Sequence, residues 1–282
     1  MKYFYKFIII NFLNLLPIFL VIKIFKLNIL KYINVIFVYF FYLIFLSLIF
    51  LTFSKKIYLY LKKAKILSEP KSKKENLIFK IVEEYSKKFK IKNPKLAFYK
   101  SNTNNSFSLG CNMNNSLIVL SDNLIKKANY KEIETIIVYE IINISSKYSK
   151  IILLIQNSLN FQNLYISLAI SKILTLFSRK NKKKKKYIYY NLLYNLINYT
   201  FSLFSSIYAF HISRKIKLKL FYNTSKIVGE KNILHLIKSY NYSSDNTRED
   251  IKMIYLFYKN NKFFNLMYPH PTNRKIIRLI KD

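Results

Sequence analysis

The sequence predicts an α-helical membrane protein, with about four transmembrane helices carrying a mainly helical α+β soluble domain. Three observations lead there. Of the 282 residues, 52% are hydrophobic, and they gather into runs too long for an ordinary soluble core. Four of these runs, Phe7–Ile22, Tyr32–Phe53, Ile151–Ser171 and Tyr187–Ser213, carry no Lys, Arg, Asp or Glu and come in two pairs. Between and after the pairs the pattern changes to amphipathic helices and short strands bounded by turn residues.

The first pair forms a transmembrane hairpin over residues 1–53, with Lys23, Lys26 and Lys31 in its connection. The second run meets the roughly 20 residues a bilayer needs, and the first does so if Lys6 snorkels. A cleaved signal peptide fits less well, because no small-x-small site follows and another apolar run comes straight after.

Residues 54–150 form the first part of the soluble domain. Ser54 to Glu75 is basic and polar with Pro70, and reads as the exit from the membrane. Asn76–Phe89 is an amphipathic helix with Ile78, Ile81 and Val82 on one side. Two strands follow, Lys95–Tyr99 and Ser116–Ser121, joined by a polar segment with Asn102 to Asn105 and Gly110.

A helix over 130–146 comes next. Asn129 and Glu132 make a capping-box pair at its start. Ile133, Ile136, Ile137, Ile141 and Ile144 recur at three- and four-residue spacing, so the helix faces a core. Glu140 stands in its middle, between Tyr139 and Asn143, and an ionised carboxylate there needs a partner.

The second apolar pair, 151–213, encloses the basic loop 179–186, seven cations among eight residues. Between two spans, such a block reads as a solvated loop or a clamp on anionic headgroups. The second part of the soluble domain, 214–282, holds a basic amphipathic helix leading to Gly229, a helix from about Lys231, a mobile loop at Asn241–Asp250, the triplet Pro269-His270-Pro271 and a short helical tail. Cations flank every span, so the positive-inside rule sets no orientation.

The lone Cys111 excludes an intrachain disulfide framework and a Cys-based zinc site. The net charge of +35 is nearly all Lys in a chain also rich in Ile, Asn, Phe and Tyr, residues with A/T-rich codons. Charge therefore does not argue for a specific nucleic acid. The expected partner is the lipid bilayer. His211, His235 and His270 are scattered, with no pair at helical spacing.

The order of parts resembles the HtpX-type membrane zinc metalloproteases of bacteria. Residues 94–99, PKLAFY, are similar to the family's MPxVAIY; 105–110, NSFSLG, to NAFATG; and 116–121, SLIVLS, to SLVAVS. Asn129 to Ile144 resembles SPDEAEAVIAHEISHI, Ser213 to Gly229 resembles SRHREFxADAGSAKLVG, and His270-Pro271 resembles a late HP. The chain's only glycines, Gly110 and Gly229, both fall on family glycines.

The resemblance implies a zincin-like soluble domain facing the cytoplasm, on a multi-pass protein of the bacterial inner membrane in a membrane quality-control family. The family's single zinc is held by the two His of HExxH and a later Glu. Those positions here read Tyr139, Asn143 and Lys217, while the general-base Glu is kept as Glu140 and the supporting acid falls on Phe221. No cofactor is therefore expected, and Lys217 is expected to pair with Glu140 across the old site. The function that follows is a catalytically inactive homologue, able to bind extended polypeptides of membrane proteins by strand addition near Ser116–Ser121. The alternatives are a still-active membrane metalloprotease with a non-standard site and a basic membrane-surface binding protein.

Overall fold

The computed structural model describes residues 4–13, 29–155, 157–158, 185–239 and 270–281. It divides the chain into two units, Met1–Ile49 with Leu154–Ala209, and Phe50–Leu153 with Phe210–Asp282.

The first unit contains α1 (Phe4–Leu13), the start of α2 (Ile29–Lys62) and the start of α6 (Lys185–Val228). Among the described residues, one helix is long and apolar enough to cross a membrane, α2 over Phe40–Lys62. Phe37, Phe41, Phe45 and Phe53 stand exposed along α2. Asn11, Ser47 and Ser158 of this unit are buried: Ser158 Oγ donates to Asn11 Oδ1 at 2.7 Å, and Ser47 Oγ donates to the Leu43 carbonyl at 2.9 Å.

The expected spans are described unevenly. The first is described at residues 7–13 and the third at 151–155 and 157–158. Residues 179–184 of the basic loop and the expected mobile loop at 241–250 lie outside the described residues. The fourth run lies inside α6, which continues without a break past Ser213 to Val228. The separate helix expected after Ser213 is thus the last third of one 44-residue helix, because nothing between Ile212 and Ile216 breaks a helix.

The second unit is built on a four-stranded sheet in the order β1-β2-β4-β3. Its strands are β1 (Lys65–Leu67), β2 (Lys95–Tyr99), β3 (Ser106–Asn112) and β4 (Asn115–Ser121). β2 and β4 run parallel, pairing Lys95 with Leu117 through Tyr99 with Ser121, while β1 on β2 and β3 on β4 are antiparallel. Two expectations are corrected here. The polar connection between the two expected strands is itself largely a strand, β3, whose buried Ser106 and Ser108 make an alternating pattern look like a loop. The strand at Ser116–Ser121 is not an edge: β4 is bonded on both sides, and β3 takes the edge.

The helices around the sheet begin where their caps dictate. α3 (Lys73–Lys88) starts at Ser72, whose hydroxyl accepts from the Glu75 amide at 3.2 Å, and it buries Ile78, Ile81 and Val82 as their spacing requires. The short α4 (Asp122–Lys127) follows β4, and α5 (Tyr130–Ser145) opens with a full capping box. There Asn129 Oδ1 accepts from the Glu132 amide, and Glu132 Oε2 accepts from the Asn129 amide, each at 2.9 Å. α6 stops at Gly229, whose φ of +91° suits glycine and whose amide donates to the Ser225 carbonyl at 2.9 Å. α7 (Glu230–Ser239) and α8 (Asn273–Lys281) complete the unit, and α5 packs against α3, β3 and α7.

Gly110 is required for a different reason. A Cβ there would lie 2.9 Å from both the Asn115 carbonyl oxygen and the Ser116 Cα, so β3 and β4 approach each other only because the side chain is missing. Gly110→Ala is therefore expected to lower stability by about 1–3 kcal/mol, as overpacking against backbone does. A thermal melt of the detergent-solubilised protein checks this, and an unchanged midpoint would refute it.

Candidate functional site

α5 buries 12 of its 16 residues, so it is a central helix enclosed on all sides and not a half-exposed one. Glu140 sits in its middle at 1% exposure. Its Oε1 accepts a hydrogen bond of 2.7 Å from Ser106 Oγ on β3, and among the described residues its Oε2 has no hydrogen-bond partner. One turn on, Asn143 Nδ2 donates to Ser108 Oγ at 2.9 Å, and Asn143 Oδ1 is likewise without a partner. Residues two apart on a strand share a face, as residues three apart on a helix do. The two serines of β3 thereby meet the carboxylate and the amide of α5.

Two further elements converge on this point. Lys217 of α6 is buried at 2% exposure, and its Nζ lies 3.1 Å from Nδ1 and 3.0 Å from Nε2 of the buried His270. Tyr139 packs its ring on Phe221 of α6, centroids 5.0 Å apart and planes tilted by 48°. Glu140 and Lys217 form no ion pair; they act on each other only through the field between them.

Burial is the dominant electrostatic influence. It pushes the Glu140 carboxyl above its ordinary value, against the opposing pull of the Ser106 and Ser108 hydroxyls, the Asn143 amide and the Lys217 charge. Burial also drives the Lys217 ammonium well below the ordinary lysine range, with Glu140 opposing. It drives the Tyr139 phenol well above its usual value, and Glu140 adds to that. The site thus favours neutral groups.

The structure brings Glu140, Tyr139, Asn143, Lys217 and His270 into one part of the second unit. His211 is exposed on α6, and His235 of α7 faces Glu132 at 3.3 Å. Among the described residues, no three His, Cys, Asp or Glu side chains are placed to hold one metal ion. Ser106 and Ser108 were not singled out from the sequence. The signal was in the motif: the pattern NAFATG has Ala at both places where this chain has Ser.

Glu140 gives the site a pH signature. Its carboxyl is harder to ionise folded than unfolded, so its contribution to stability is fully present below the ordinary value of 4.5 and is lost as pH rises through the raised folded value. Subtracting the melting curve of Glu140→Gln from that of the unaltered chain should leave a difference that falls with rising pH above 4.5. A flat or rising difference would contradict the assignment.

The sequence profile of peptidase family M48 matches residues 72–281. The chain is 28% identical over 243 residues to Protease HtpX of Wigglesworthia glossinidia brevipalpis, covering 83% of this chain and 82% of that one. It is 26% identical over 238 residues to Protease HtpX of Buchnera aphidicola subsp. Baizongia pistaciae, with the same coverage of 83% and 82%. The fold is similar to the crystal structure of S. mikatae Ste24p, with a TM-score of 0.58 and 14% identity over all of this chain and 62% of that one.

Proposed function

We propose that this chain, which belongs to peptidase family M48, is an HtpX-type member whose metal site has given way to a metal-free polar core, and that it binds polypeptide without cutting it. The observation that carries this reading is what each side chain at the expected ligand positions does. The Tyr139 phenol packs on a ring, the Asn143 amide donates to Ser108, and the Lys217 Nζ lies against His270.

These residues do not fit a zinc ion, which is held by imidazole nitrogen, thiolate or carboxylate. Were Lys217 to keep its proton, a charge about 4.5 Å from a dication would oppose the ion by roughly 7 kcal/mol at an effective dielectric of about 20. That is a large part of the roughly 10–16 kcal/mol with which a structural zinc binds. An active enzyme with an unorthodox site would have to draw on Glu140 and His270. Lys217 stands against that imidazole and in the field of that carboxylate.

The location that best suits the chain is the bacterial inner membrane, with several spans and the second unit in the cytoplasm. The length of α2 and its exposed phenylalanines support insertion. An extended polypeptide would be received along the free side of β3, where backbone groups bind without a metal.

Elemental analysis of the detergent-solubilised protein should find zinc at background level. Casein should stay uncut, with Glu140→Gln indistinguishable from the unaltered chain. The combined substitution Tyr139→His, Asn143→His and Lys217→Glu should bring zinc to about one per chain, because it restores a donor set of the right chemistry. Stoichiometric zinc in the unaltered protein, with cleavage abolished by Glu140→Gln, would overturn the proposal.

A further inference from the structure

A cleft of about 320 Å³ opens between the β3–β4 turn and the C-terminal end of α5, at the small end of the roughly 300–1,000 Å³ range of small-molecule sites. Asn112, Asn114, Ser116 and Ser149 line it with amides and hydroxyls, Lys147 and Lys150 line it with ammonium groups, and none of its lining residues is acidic. Neither lysine's ammonium group has an ion-pair or hydrogen-bond partner among the described residues. Two of the last carbonyls of α5, which would oppose an anion, are engaged internally. The Ser146 amide donates to Ile142 and the Lys147 amide to Ile144, each at 2.9 Å. The cleft is therefore a concave, positively charged, donor-rich surface whose cations are uncommitted.

Its place along the chain identifies the anion. Lys150 is the last charged residue before the apolar run that begins at Ile151. Lys55 is the first charged residue after the run Tyr32–Phe53, and its Nζ donates to Asn115 Oδ1, between cleft residues Asn114 and Ser116. The cleft thus lies beside two points where the chain passes between an apolar run and lysine. In a membrane protein that level is occupied by phosphodiester headgroups, and juxtamembrane lysines are drawn to anionic ones.

We propose that this cleft binds the phosphate of an anionic phospholipid. The inference rests on the membrane reading given above and is independent of the state of the metal site.

The test is thermal unfolding of the full chain in neutral detergent, with added dioleoylphosphatidylglycerol, dioleoylphosphatidylcholine or inorganic phosphate. The anionic lipid at about ten times its Kd should raise the midpoint by roughly 3–6 °C, and phosphatidylcholine should not. Lys147→Asn with Lys150→Gln should abolish the rise, Asn being chosen because Lys147 has a φ of +59°. Lys131→Gln with Lys231→Gln, which removes the same charge from exposed sites elsewhere, should preserve it. If the first pair compromises folding, Lys150→Glu alone should still abolish the rise without touching the strained backbone. Equal loss in both double variants would reduce the effect to diffuse charge attraction and overturn the proposal. An equal rise with inorganic phosphate would overturn its lipid part. A chain that stays monodisperse without detergent would remove the membrane reading and the lipid site together.

Discussion

The second unit depends on how one carboxylate is kept in an apolar interior. Glu140 is enclosed by α5 and β3 at 1% exposure, where an unpaired charge would cost several kcal/mol. A direct ion pair with Lys217 is one remedy, and the molecule does not use it. Instead Ser106 donates a hydrogen bond, Lys217 contributes its field at a distance, and burial shifts both titratable groups toward neutrality. A hydroxyl directed at one oxygen and a carboxyl inclined to keep its proton together achieve what a metal or a salt bridge would otherwise do. This arrangement also explains why β3 carries two serines on the face turned to α5: larger side chains would hold the strand off the helix, and alanines would leave Glu140 and Asn143 without partners there.

Much of this was legible in the sequence. The capping box at Asn129 and Glu132 fixed where α5 starts, and the isoleucine spacing told that it faces a core, though not that it is enclosed on all sides. Both features are local, and local signals survive without tertiary context. β3 was not legible, because buried serines are written in the same letters as a solvated loop, and what distinguishes them is the helix packed above. The same blindness hid the edge of the sheet: strand order is a non-local property, and a parallel pairing of β2 with β4 leaves no mark in either strand. The position of Lys217 was readable through the motif, but its contact with His270 joins residues 53 apart in the chain and only the fold could reveal it.

If, as we propose, this chain holds no metal, the remaining question is how the fold keeps its centre without one. The contacts now at the site are Ser106 with Glu140, Ser108 with Asn143, Lys217 with His270 and Tyr139 on Phe221. Each is worth on the order of 1 kcal/mol net, so together they fall short of the roughly 10–16 kcal/mol that a structural zinc can supply. They do not need to match it. α5 alone buries seven aliphatic side chains, Ile133, Ile136, Ile137, Val138, Ile141, Ile142 and Ile144, each contributing roughly 1.5–3 kcal/mol. The apolar body of the helix is therefore comparable with anything an ion at its polar centre could add. What the polar centre must do is avoid an uncompensated charge and an unfilled space, and a phenol, two serines, an amide and a lysine lying against an imidazole meet that lesser requirement. Chemistry at such a site can change while the helix that presents it stays in place, because the two rest on different residues of the same sixteen.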